Sequence, residues 1–215
     1  MDNRAKGKKP IQDIKEFDEL RAQAQGTKPD YDQAMEGFLD DLRNQNPGQY
    51  DSVVFHPADL KKSSRIADKI KSDYGGNVNE VADFVRGTFT ADTPEQLLRV
   101  QEALEEKFEI VRVKDNIFEP MGGGLRNFNN SIRMSNGHIV ETQVMPQQLW
   151  DVKGPSHDLM EQAQDLKRAG APKTEIEVYD KANRLLQNGV VHNTADRIFL
   201  TYNVNPEYKA NNVFQ

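Results

Sequence analysis

The chain contains no cysteine, which excludes disulfide staples, thiolate nucleophiles and cysteine-ligated zinc together. It also lacks any run approaching the roughly 18 apolar residues of a membrane span. The basic start MDNRAKGKKP has no apolar stretch of the kind a signal peptide needs. These absences lead to the expectation of a cytoplasmic protein with no membrane partner. Histidine is sparse, and His56, His138, His157 and His192 include no i, i+4 pair on a helix, which argues against a zinc centre. His157 and Asp158 spell the HD pair of metal-dependent phosphohydrolases, but the other ligands of that chemistry are missing, so hydrolysis is disfavoured. No serine lies in a nucleophile-elbow setting. The single tryptophan, Trp150, falls on an amphipathic stretch and reads as core rather than as a stacking platform.

Apolar residues are few as well. They make up 36% of the 215 residues against 29% charged, which points to a modest core with long solvated helices. The net charge of −6 opposes general affinity for nucleic acid and sequence-specific DNA binding, so any phosphate site must be local.

Residues 1–9 are polar and basic and read as disordered. Residues 10–56 read as a helical extension of two amphipathic helices. One carries Ile11, Ile14, Phe17 and Leu20, the other Tyr31, Met35, Phe38 and Leu42, with GTKPD as the turn between them. From Pro57 a third helix runs to about Ser72, where YGGN stops it. DFVRGTFT reads as a short strand with Asp83 at its start. Thr93, Pro94 and Gln96 form a capping-box helix start, followed by the strand FEIVRVK. Asn136 and Gly137 join two strands in a tight hairpin. Helices then flank GPS and AGAPK, Gly189 ends the last of them, and the tail from Asn203 is irregular. The sum is an α+β protein: a core over 57–168 built on a small mixed sheet, then C-terminal helices and a tail over 169–215.

Three groups of residues could do chemistry. In HPADLKKSSRIADKIKSD, Lys61, Arg65 and Lys69 recur every four residues with Lys62 beside them, while Leu60, Ala67 and Ile70 can pack inward. This is either a solvated face balanced by nearby aspartates or a clamp for adjacent phosphates. Glu141 and Gln143 project from one face of a hairpin strand, between Ile139 and Met145. That strand is either a half-exposed edge or the site of a polar pair that intrudes on an apolar face. With Asp83 on a neighbouring strand, Glu141 would complete the hard-oxygen pair that Mg2+ bridging nucleotide phosphates requires. Finally, VKDNIFEPMGGGLRNF places Lys114 and Asp115 at a sheet rim and ends its loop at Arg126. No Lys-Ser/Thr follows the glycines, so they are not a P-loop.

Taken in order, these segments resemble the synthetase domain of the RelA/SpoT family, which transfers pyrophosphate from ATP to the 3′-hydroxyl of a guanine nucleotide. The resemblance spans residues 60–161 and rests on KKSSRIADKI, EVADFVRGTF, IVRVKDNIFEPMGGGLRNF, the ETQ hairpin and KGPSHDLMEQ. It implies a nucleotidyltransferase-like core. Lys61 or Lys62, Arg65 and Lys69 would hold the ATP phosphates, and Asp83 and Glu141 would hold Mg2+, with Glu141 alternatively activating the attacking hydroxyl. Lys114, Asp115, Leu125, Arg126 and Gln143 would lie on the acceptor side. The departures cluster in the acceptor loop. Met121 stands where the family has lysine, Gly123, Gly124 and Leu125 replace asparagine, glycine and tyrosine, and Asn129 replaces a histidine. Thr88 stands near a family arginine, with Arg86 close by as a substitute. Leucine cannot stack on a purine as tyrosine does.

Two expectations follow. One is a divergent pyrophosphokinase using ATP and Mg2+ on an altered acceptor, a nucleotide or RNA, with the size of a stand-alone toxin or an effector delivered into a target cell. The other is a module of the same fold without turnover, acting on a protein partner through its flanking helices.

Overall fold

The computed structural model describes residues 5–117 and 125–204, with side chains described as far as 188. The stretch 118–124, which holds Met121 and the three loop glycines, lies outside the described residues, as does the tail beyond 204. Six strands form one mixed sheet in the order β1-β4-β5-β6-β3-β2. They are β1 (Ala5–Gly7), β2 (Val54–Pro57), β3 (Arg86–Ala91), β4 (Glu109–Asp115), β5 (Phe128–Arg133) and β6 (Ile139–Pro146). Only β3 and β6 pair in parallel; the other neighbours are antiparallel. The helices are α1 (Phe17–Gln45), α2 (Ser63–Asp73), α3 (Pro94–Lys107), α4 (Gln147–Asp151), α5 (Lys153–Arg168) and α6 (Lys173–Val204).

The α+β mixed sheet is as expected, and so are the two strongest local signals. Thr93 accepts from the backbone N–H of Gln96 while the Gln96 side chain returns to the Thr93 N–H, and Pro94 opens α3. Gly137, at φ 84°, turns the hairpin from β5 to β6.

Other expectations are corrected. GTKPD does not separate two helices, because α1 runs through Pro29 without a break. Leu20, Ala24, Thr27, Tyr31, Met35, Phe38 and Leu42 are all buried along one stripe, so tertiary packing on both sides of Pro29 outweighs its missing N–H. Thr27 adds a hydroxyl bond of 2.8 Å to the Gln23 carbonyl one turn back. Ile11 and Ile14 precede this helix rather than starting one. Residues 5–7 form a strand, because the edge of β4 offers unpaired backbone groups and Ala5 to Gly7 register against Lys114 to Arg112. Gln12, only 2% exposed, fastens the same segment. Its amide donates to the carbonyls of Val81 and Ile139 and accepts from the Ile139 N–H, each at 2.8 Å. Ile66 rather than Ala67 packs inward with Ile70 from α2. GPS lies inside the first turn of α5, and α6 continues through Gly189 to Val204.

The core joins α1, α3 and the sheet, with Tyr31, Phe55 and Phe89 at its centre. Phe55 and Phe89 lie 4.9 Å apart between ring centres. Gly87 is the point of closest approach. A Cβ there would stand 2.5 and 2.7 Å from Phe55 ring carbons and 2.7 Å from the Tyr31 hydroxyl. Gly87→Ala should therefore cost about 1–3 kcal/mol of overpacking. A urea melt should show a lower midpoint at unchanged slope, and an unchanged midpoint would refute this packing.

Candidate active site

Backbone bonds bring the site together before any side chain acts. The segment ahead of β3 lies between the lead-in to α2 and strand β6. The Phe84 carbonyl accepts from the Lys61 N–H at 3.1 Å, and the Val85 carbonyl accepts from the Glu141 N–H at 3.0 Å. Asp83 therefore sits three residues before β3 rather than at its start. The parallel register sets Arg86 beside Glu141 and Thr88 beside Gln143.

Asp83 is 6% exposed, and its Oδ2 accepts from Lys61 at 2.6 Å and from Lys69 at 2.7 Å. Its other oxygen, Oδ1, is buried with no partner among the described residues. Burial pushes the Asp83 carboxyl up, but Lys69 and Lys61 together outweigh it and hold the group below the usual carboxylate range. Burial also works against the Lys69 ammonium, and Asp83 overcomes it with help from Tyr74, so the net shift is upward. Lys61 precedes α2 and Lys62 is its N-cap, so the four-residue spacing does not lie wholly on a helix. Lys61, Lys62, Arg65 and Lys69 nevertheless line one cavity of about 590 Å3. Six Lys and Arg side chains face three carboxylates there. Arg65 is ion-paired with Glu161 of α5 across it.

Glu141 lies on a central strand, which excludes the half-exposed edge. Val140, Thr142 and Val144 fill the core on one face, and Ile139 and Met145 are buried on either side of Glu141 and Gln143 on the other. The polar pair does intrude on an apolar face. Glu141 Oε1 accepts from Gln143 at 2.7 Å and Oε2 from Asn129 at 3.0 Å, two bonds that fix the carboxylate's orientation. Glu141 borders two further cavities. One, of about 270 Å3, also contains Asp83, Lys69, Tyr74, Lys114 and Asn129. The other, of about 220 Å3, contains Leu125, Gln143, Arg86, Thr88 and Lys153.

The residues expected on the acceptor side thus divide. Lys114 opens on the first of these cavities, and Leu125 and Gln143 on the second. Asp115 and Arg126 instead shape the loop: Asp115 Oδ1 accepts from the Ile117 N–H at 2.8 Å, and Arg126 donates to the Ile117 carbonyl. Among the described residues no group of three His, Asp or Glu side chains could hold a metal. Three carboxylates line the 270 Å3 cavity, Asp83, Glu141 and Glu80, and Glu80 is ion-paired with Lys9 at 2.7 Å.

Sequence reasoning missed several members. Asn129 registers against Gln143, so cross-strand pairing could have placed it at Glu141. Lys153 and Trp150 had no such signal. Trp150 is not simply core: it stacks on His56 at 4.0 Å between ring centres, with the Lys153 ammonium 3.7 Å from its ring centre on α5. Burial and the neighbouring Arg86 bring Lys153 down to about 8.

Neither a protein-family model nor a curated protein sequence matches this chain. Solved structures do. The mixed sheet and flanking helices form an α+β fold, and it is the fold of the RelA/SpoT-type synthetases. The small alarmone synthetase 1 from Bacillus subtilis bound to its product pppGpp is 13% identical, with a TM-score of 0.61 over 86% of this chain and 98% of that one. A GTP pyrophosphokinase family protein from Streptococcus pneumoniae is 14% identical, with a TM-score of 0.60 over 88% and 98%. A chain of the complex between the Type VI effector Tas1 and its immunity protein is 18% identical, with a TM-score of 0.57 over 82% and 96%. Among the described residues no helix is long and apolar enough to cross a membrane.

The Asp83 clamp has a pH signature. Its folded carboxyl titrates below its unfolded value of about 3.9, so its stabilisation is complete above that pH and is lost as pH falls through the folded value. Asp83→Asn should cost about 2 kcal/mol at pH 7. Denaturant melts of wild type and variant at pH 7, 4 and 2.5 should show that gap closing with acid. A gap of constant size would exclude an electrostatic clamp.

Proposed function

We propose that this protein is a divergent pyrophosphokinase that transfers the β,γ-pyrophosphate of ATP to a hydroxyl of a nucleotide or RNA acceptor. The observation that carries the reading is the pair Asp83 and Glu141. They open on one cavity beside Lys69, and Asp83 keeps a buried oxygen without a partner among the described residues. The fold shared with proteins described as a small alarmone synthetase and a GTP pyrophosphokinase supports it.

Lys61, Lys62, Arg65 and Lys69 are suited to hold the triphosphate, because flexible cations around one cavity neutralise adjacent phosphates. Arg86 borders the same cavity and makes no ion pair among the described residues, so it is available to the same charge. Asp83 and Glu141 fit Mg2+, which binds through one or two carboxylates together with substrate phosphates and water. Bound there, the ion would neutralise phosphate charge. In the alternative role, Glu141, oriented by Asn129 and Gln143, would take the acceptor hydroxyl's proton as that oxygen attacks the β-phosphorus. The bond from the β-phosphorus to the α,β-bridging oxygen breaks and AMP leaves. The rest of catalysis is positioning and charge stabilisation.

A second reading, a module without turnover that binds a protein, draws on one feature. The cations assigned to ATP already have partners, Lys61 and Lys69 on Asp83 and Arg65 on Glu161. The Type VI effector neighbour, solved with its immunity protein, is consistent with either reading and supports delivery into a target cell.

Incubation with γ-labelled ATP, Mg2+ and a panel of nucleotides and tRNA decides between them. The expected outcome is AMP release with label on one acceptor, and a rate about 10²–10⁴-fold lower in Glu141→Gln. No AMP across the panel would leave the binding module, and full activity in Glu141→Gln would remove the proposed base.

A further inference from the structure

The 220 Å3 cavity beside Glu141 is closed on its helical side in part by a residue outside the stretch that resembles the synthetase domain, Gln187. Gln187 of α6 and Ser156 of α5 both line it. They are 2% and 5% exposed, and Asn183, one turn before Gln187, is 1% exposed. Gln187 Nε2 donates to Ser156 Oγ at 2.7 Å and faces Asn183 Oδ1 at 3.4 Å. Turning over the Gln187 amide alone would set oxygen against oxygen at Asn183, whose own Nδ2 is likewise buried with no partner among the described residues. The observed orientation leaves Gln187 Oε1 buried with no partner among the described residues. An acceptor in that state is unfavourable, and a ligand donor would remove the penalty. The remaining walls include Leu125, Met145, Leu149 and Met160, which suit the faces of a flat ring. The volume falls below the roughly 300–1,000 Å3 of a pocket for a drug-sized molecule, so it suits one ring system rather than a whole nucleotide.

We propose that this cavity takes the base of a nucleotide bound at Glu141, and that Gln187 Oε1 reads the exocyclic amino group of a purine. The inference rests on the reading of the Glu141 site as a nucleotide site, and it makes α6 a specificity element of that site. Adenine and guanine share this chemistry, and paired probes separate them.

The test is calorimetric titration of the full chain with four non-transferable α,β-methylene triphosphates. Those of adenosine and purine riboside differ only in the 6-amino group, and those of guanosine and inosine only in the 2-amino group. In one pair, loss of the amino group should weaken binding about tenfold, which identifies the base. Gln187→Met should still bind triphosphate but bring that ratio close to one. Equal binding within both pairs in wild type would overturn the inference while leaving the nucleotide site standing, and the wild-type ratios decide this even if the variant fails to fold. A folded Gln187→Met with the wild-type ratio would overturn the assignment to Gln187. Absence of binding by all four would overturn both the inference and the reading beneath it.

Discussion

Asp83 places one carboxylate oxygen against two ammonium groups, Lys61 at 2.6 Å and Lys69 at 2.7 Å, in a position only 6% exposed. A carboxylate so far from water is unfavourable unless paired, and two lysines more than offset the loss of solvent. The contact fixes α2 against the sheet, because Lys69 belongs to that helix while Lys61 is also bound through its backbone to Phe84. Lys69 borders both the 590 Å3 and the 270 Å3 cavities, so the clamp sets the wall between them. Without it, neither the cationic cavity nor the carboxylate pair would have a defined shape.

The second constraint is the parallel register of β3 and β6. It sets Arg86 opposite Glu141, and Arg86 borders the cationic cavity while Glu141 borders the other two. A shift of one residue would turn Glu141 into the core and Thr142 out of it. Thr142 prevents that slip chemically. It is fully buried, and its hydroxyl lies 3.0 Å from the Tyr31 hydroxyl of α1, so a partner for this polar group exists in only one register. Helix α1, which sequence alone reads as an extension, therefore helps to hold Glu141 on the face opposite the core.

What the sequence made legible was what depends on neighbours along the chain. The capping box at Thr93, the Asn136-Gly137 turn and the alternation around Glu141 are each decided within a few residues, and each is present in the structure. Lys61, Lys69, Asp83 and Glu141 were legible as candidates and are brought together, although their spacing could not show that Asp83 would occupy the two lysines. What was illegible is decided across the fold. Pro29 is an efficient helix breaker locally, yet it is overridden by a buried stripe whose members Ala24 and Thr27 are too weakly apolar to announce it. Residues 5–7 have no strand signal of their own, since the edge of β4 supplies it. Gln187 and Lys153 meet the sheet residues only because α5 and α6 pack beside them.

The charge distribution follows from the same economy. A chain of net charge −6 has no general attraction for polyanions, but it gathers six cationic side chains around one cavity. Half of these charges are restrained from within: Asp83 holds two, and Glu161 holds Arg65. Internal carboxylates keep these cations oriented and limit their mutual repulsion. They also set a threshold. A single phosphate oxygen competes with a carboxylate already in place, whereas several adjacent phosphates engage several of these cations at once and gain from each. A ligand carrying several adjacent anionic groups would therefore gain more here than one carrying a single such group, through the number of contacts made together.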